Sequence, residues 1–457
     1  MLSLHDSSGR FNRRAFLGVG SLALGGLALP SLRAATPSAM HDGKSVIFLF
    51  MHGGPSQIET FDPKLGAPAE VRSATGEVAT VLPGVTFGGT FPKLARLANK
   101  LAVVRSFVTG DGNHDIKPVV GRDSFGANLG CVYAHVAGMN HPVTGMPTNV
   151  ALFPQAVEPK SQPAQAGFGN FLASGPFGSA AAPFVPGGGG DLQRDMKLTL
   201  PADRLDDRRA LLNRLDRVKS ALDDALRDGL DGARAQALRV LVSTIGEAFD
   251  LSREDDRTVA RYDTAPLVRP DNIDKKWKNY NFYIDNARTI GRLLLLARRL
   301  CERGAGFVTV TTNFVWDMHA DVNNAPCAEG MRYMGVPFDH AVSAFVEDIE
   351  QRGLSDKILL VCCGEMGRTP KLNKNGGRDH WGNLAPLLLA GGGLKIGQVI
   401  GQSARNGGEP ASEPVRIRNL IATILHTLFD VGQLRVRRGL PRDVQQMLEW
   451  EPIAGLI

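Results

Sequence analysis

Four short apolar runs, each closed by glycine or polar residues, constrain this chain most: "KSVIFLFMHGG", "GFVTVTTN", "KILLVCCGE" and "APLLLAGGG". Runs this short, without alternation, read as strands buried on both faces. Between the second and third lies "FDHAVSAFVEDIEQRG", whose apolar residues recur at helical spacing. Strand, helix and strand in succession need a crossover, and so a parallel sheet with helices on its faces. The expected fold class is therefore α/β, with a mainly parallel central sheet flanked by helices. Expected strands are 45–51, 101–104, 307–311 and 357–363, and a further helix runs from about Ile284 to Arg303.

The rest of the chain divides by composition. "NRRAFLGVGSLALGGLALPSLRAA" sets Arg13 and Arg14 before a moderately apolar stretch, so residues 1–35 resemble a twin-arginine export signal. The twin-arginine export machinery is then a partner, and the destination is the periplasm or cell envelope, or the exterior. No later segment is long enough to span a bilayer, so no membrane span is expected after signal removal. Residues 41–457 are expected to form a single domain that includes a Gly/Pro-rich surface loop at 167–190. The domain also includes a mainly helical insertion at 200–283, where Leu, Ala, Arg and Asp recur at helical spacing.

Charge and cysteine content exclude several function classes. Net charge is +6, of which the segment 1–35 supplies +3 from four arginines less one aspartate. No basic cluster remains of the kind that grips nucleic acid. Five cysteines, an odd number with no metal-finger spacing, suit buried small residues rather than a disulfide framework.

Ligands of an open parallel sheet gather at the carboxyl ends of its strands. There the sequence places His52, Glu59 and Asp62 after the first strand, and Asp317, His319 and Asp321 after the strand ending near Thr312. Glu365, Asp379 and His380 follow Cys363. Imidazole with carboxylate suits a divalent metal, zinc or manganese, and Asp317, His319 and His380 with Glu365 as fourth form the candidate ligand set. Arg368 and Arg378 suit a bidentate grip on a phosphate, sulfate or carboxylate, and pairing with Glu365 or Asp379 is the alternative. Ser106, Thr109 and Ser124 are candidate hydroxyls with His114 nearby, none in a recognisable activation motif.

The ordered set "GGPSQIETFDPK", "WDMH", "FDHAVSAFVEDIEQRGL", "GEMGRTPKLN", "GRDHWGN", "LLLAGGGLKIGQVIG" and "IATILHTLF" resembles the bacterial exported family called domain of unknown function 1501. That family is similar to the alkaline phosphatase and sulfatase superfamily. The resemblance implies an alkaline-phosphatase-like domain and metal-assisted hydrolysis of a small-molecule or polymeric anionic ester, phosphate or sulfate. It places Asp317 and His319 on one metal, Glu365 in the position of the Asp that follows a later strand, and His380 at the last histidine ligand. His114, Arg368 and Arg378 are the catalytic candidates. The sequence departs from the superfamily pattern in three places: Asp317 and His319 lie two apart rather than four, Glu365-Met366 replaces an Asp-His pair, and Met51-His52 ends the first strand where an aspartate is expected. The departures leave a second implied reading, a catalytically inactive envelope-associated binding protein on the same fold. No cysteine stands in the Cys-x-Pro-x-Arg context of sulfatases, which disfavours chemistry through a modified cysteine.

Overall fold

The structure is a computed structural model and describes residues 43–165, 167–186 and 245–457. The export signal, and residues 200–244 of the expected helical insertion, lie outside the described residues.

Seven strands form the central sheet: β1 (Ser45–Phe50), β2 (Ala102–Val104), β3 (Asn149–Leu152), β4 (Phe307–Thr311), β5 (Ile358–Cys363), β6 (Leu387–Gly391) and β7 (Gln398–Ile400). Their order is β7-β2-β6-β5-β1-β4-β3. β1 lies parallel to β4 and β5, and β3 is parallel to β4. β6 runs against both its neighbours, β5 and β2, while β7 is parallel to β2. β-Branched and aromatic residues fill β1 and β4, as a pleated surface buried on both faces favours.

Among the described residues, the four longest helices lie on the two faces: α1 (Leu129–Ala137), α2 (Tyr280–Glu302), α3 (Cys327–Gln351) and α4 (Ile417–Leu428). The two-residue period of the strands sorts their side chains. Ile47 and Leu49 pack in one core with Leu293 to Leu296 of α2 and with Phe338 and Phe345 of α3. Val46, Phe48 and Phe50 pack in the other with Cys131 and Val132 of α1 and with Leu420 and Ile421 of α4. All five cysteines are buried and unpaired. No described helix is long and apolar enough to cross a membrane.

Two expectations need correction. The helix expected from Phe338 starts at Cys327 and runs through Pro337. A proline inside a helix leaves the carbonyl four residues back without its N–H, and here Asn286 Nδ2 donates to that Tyr333 oxygen at 3.4 Å. The Gly/Pro-rich stretch is also not simply a surface loop. Its described part makes turns at Gly175–Phe177 and Ser179–Ala181, and Phe171, Phe177 and Ala181 are buried in the α1/α4 core. The aromatic residues among the glycines give the segment apolar area worth burying.

Candidate metal centre

Four chain segments that leave the carboxyl edge of the sheet meet at one carboxylate. Asp317 and His319 follow β4, and the backbone at Gly53, just past β1, runs close beneath them: a Cβ at Gly53 would stand 2.6 Å from Asp317 N, and φ there is +112°. Only glycine fits that approach. His380 lies on a two-residue strand, His380–Trp381, paired antiparallel with Gly367–Arg368 beyond β5. His114 comes from the loop 109–118 beyond β2, which docks on the same segment through Thr109 N and Gly110 N to Gly382 O.

The Oδ1 of Asp317 is 3.0 Å from His319 Nε2 and 3.5 Å from both His114 Nε2 and His380 Nε2. His319 Nε2 and His380 Nε2 are 2.7 Å apart. One ligand atom from each of His114, Asp317, His319 and His380 lies within 4.8 Å of all the others. Zinc bonds of 2.0–2.1 Å in a tetrahedron separate ligand atoms by roughly 3.3 Å, so the cluster has the dimensions of a site for one ion.

The tautomers sharpen this fit. His114 Nδ1 donates to Glu365 Oε1 at 3.0 Å, and His319 Nδ1 donates to Asp379 Oδ1 at 3.1 Å. With Nδ1 so engaged, Nε2 of each ring faces the Asp317 carboxylate, and Nε2 of His319 also lies 3.2 Å from Arg368 Nη1. A proton on Nε2, the Arg368 guanidinium beside Asp317 and His319, or a metal ion offsets the repulsion between these nitrogens and the carboxylate. Carboxylates behind ligating imidazoles are the usual outer support of a metal site.

Charge at the site is strongly coupled. Burial raises the Asp317 pKa, but Arg368 and hydrogen bonds from His114, His319 and His380 outweigh it and hold the carboxyl well below the usual range. Burial lowers His114, and its bonds to Asp317 and Glu365 outweigh that and raise it. At His380 the bond to Asp317 raises the pKa, while burial and Arg368 prevail and lower it.

The other expected residues fall elsewhere. Glu365 is fully buried, accepts from Gly53 N at 2.9 Å and supports His114 from behind; its carboxylate is not among the clustered ligand atoms. Arg368, 1% exposed, gives Nη2 to Asp317 at 2.5 Å, Nε to Gly54 O at 2.7 Å and Nη1 to Arg378 O at 3.2 Å. It faces the cluster as a fixed counter-charge. Arg378, expected as an anion grip, is fully buried and spent on Glu59 Oε1 at 2.9 and 3.0 Å and on the carbonyls of Val71, Arg72, Thr369 and Pro370. Neither Glu365 nor Asp379, the partners weighed for it, fills that role. Ser106 Oγ is buried without a partner, and the Ser124 hydroxyl is tied to the Gly121 backbone.

His52, at the end of β1, is 1% exposed, and both its ring nitrogens lack a partner. Its ring packs edge-on against Phe171 and Phe314 at 5.6 and 5.0 Å. Burial depresses its pKa, against an opposite pull from Glu365. Sequence reasoning missed Glu59 as the partner of Arg378 and His114 as a member of the cluster. Only the path of the loop beyond β2 brings His114 to the cluster.

A family model described as a protein of unknown function, DUF1501, matches residues 43–446. The chain belongs to the DUF1501 family. No curated protein matches this DUF1501 sequence. Among solved structures it is similar to the PsFucS1 sulfatase from Pseudoalteromonas sp., with 11% identity and TM-score 0.38 over 91% of this chain and 72% of that one. It is also similar to the phosphonate monoester hydrolase SpPMH from Silicibacter pomeroyi, with 10% identity and TM-score 0.33 over 84% and 73%. The lipoteichoic acid synthase LtaP from Listeria monocytogenes gives 8% identity and TM-score 0.31 over 92% and 78%. Likenesses of this size carry no functional weight, and the function of this DUF1501 chain rests on its own residues.

Proposed function

We propose that the protein is an exported hydrolase of phosphate or sulfate esters that depends on one divalent metal, zinc or manganese. The observation that carries this reading is the convergence of His114, Asp317, His319 and His380, with carboxylates behind two of the imidazoles. These four residues would hold the ion, which supplies Lewis-acid polarisation of an ester oxygen when bound. Glu365 and Asp379 fix which nitrogen of each ring carries the proton. Arg368 anchors Asp317 and adds positive charge beside the reacting anion. The ester chemistry itself follows from the family resemblance, and twin-arginine export fits a protein folded around its metal before it leaves the cytoplasm.

A second reading is favoured by Met366. It is fully buried against Gly54, whose added Cβ would lie 2.7 Å from Met366 Cγ, at a position where the superfamily pattern has a histidine. With both arginines sequestered as well, the fold would serve as a metal-holding, envelope-associated binding protein without turnover.

Elemental analysis of protein purified from its native export route, followed by assay on aryl phosphates, diesters and sulfates, tests both. The hydrolase reading expects about one equivalent of metal and a turnover that disappears in His319→Ala. Metal without turnover leaves the binding reading, and protein free of metal defeats the metal centre.

A further inference from the structure

Resting on the reading of the cluster as a cation site, we infer that Lys117 is a positioning residue: its ammonium folds the loop 109–118 around itself and presents His114 to the metal centre. His114 is carried by residues 109–117, a stretch with neither helix nor strand of its own. Such a segment holds a side chain in place only if something other than a backbone ladder fixes it.

Lys117 supplies the fixing. Its Nζ lies 2.9 Å from Asp111 Oδ1, 3.0 Å from Asp115 Oδ1 and 3.3 Å from Asn113 O. A longer contact of 3.5 Å reaches Glu365 O, the backbone of the residue whose carboxylate holds the His114 ring. Three acceptors spaced along the loop thus point inward at one ammonium, and His114 projects toward Asp317 between two of them. The Lys117 side chain is 11% exposed, whereas Asp111 and Asp115 are about half exposed at 53% and 45%. Exposed pairs of this kind contribute little to global stability. Without Lys117, however, two like-charged carboxylates and a carbonyl face each other across a loop of seven residues.

The test measures Zn(II) and Mn(II) affinity of the full mature chain by competition with a chelating dye, together with hydrogen exchange of residues 111–117 in metal-free protein. Lys117→Met is expected to weaken cation binding about 10- to 100-fold, the range for outer-shell partners, to raise exchange in the loop, and to leave the metal-free melting temperature near that of the wild type. Asp111→Asn with Asp115→Asn, which removes the anchors from the other side, is expected to act alike. Lys117→Met combined with His114→Ala should bind no more weakly than His114→Ala alone, because both changes remove the same ligand. Wild-type affinity in Lys117→Met, or losses that add in full in the double variant, overturns the inference. If wild type and His114→Ala bind cation equally, His114 is no ligand and the role of Lys117 falls; if the wild type binds no cation, the metal centre itself falls.

Discussion

Glu365 and His114 lie 251 residues apart in the chain, yet the carboxylate Oε1 of one is 3.0 Å from the imidazole Nδ1 of the other. This bond fixes the ring so that Nε2 faces Asp317. Glu365→Gln keeps the shape and one oxygen for Gly53 N and His114 Nδ1, but it replaces the charge-assisted bond to the imidazole by a weaker neutral one. Cation affinity is expected to fall about 10- to 100-fold, read by dye competition, with the metal-free protein folded. Unchanged affinity would separate His114 from the ligand set.

Arg378 and Glu59 are both fully buried and share two hydrogen bonds. Removing one partner leaves a buried charge unpaired, so Arg378→Met is expected to cost about 3–5 kcal/mol in urea unfolding. A variant of normal stability that lost only anion affinity would restore the anion grip.

His52 buries two ring nitrogens without partners among aromatic rings. Replacing it by leucine removes the unmet polar atoms at similar volume, and stability is expected to rise by about 1–3 kcal/mol. The same substitution should leave cation affinity unchanged. Lower stability, measured by the same unfolding assay, would mean that the imidazole has a partner in solution.

Asp339 is 3% exposed and accepts from Leu94 N at 2.8 Å and Lys93 N at 3.0 Å. Burial pushes its pKa up to about 6, against an opposing pull from those two backbone bonds. Between the unfolded value near ~4 and about 6 the folded state therefore holds more protons than the unfolded one. Stability conferred by the protonated form is present below that window and is lost as pH rises through it. Unfolding free energy followed from pH 4 to 6.5 is expected to show this fall at Asp339, and Asp339→Asn to remove that component. A wild-type curve indistinguishable from that of Asp339→Asn across the window would show that Asp339 titrates normally.

Much of the fold was legible because burial writes itself into composition. A strand covered on both faces must be apolar throughout, so β1, β4 and β5 stand out of the sequence within a residue of their observed ends. The passage of α3 through Pro337 was not legible, because the hydrogen bond that compensates for the proline comes from Asn286, on a different helix. The meeting of Asp317, His319 and His380 was legible because they follow strand ends, and strand ends meet at one edge of a parallel sheet.

The sequence by itself determined the strands, their common edge and the acids and imidazoles delivered there. Only the tertiary structure decided their roles. It put the Glu365 carboxylate against the far side of the His114 ring, gave Arg378 to Glu59 and set Arg368 against Asp317. Strand and helix patterns are local and repeat within a few residues, whereas a hydrogen-bond partner hundreds of residues away leaves no periodic trace; only the packed chain brings it within 3 Å.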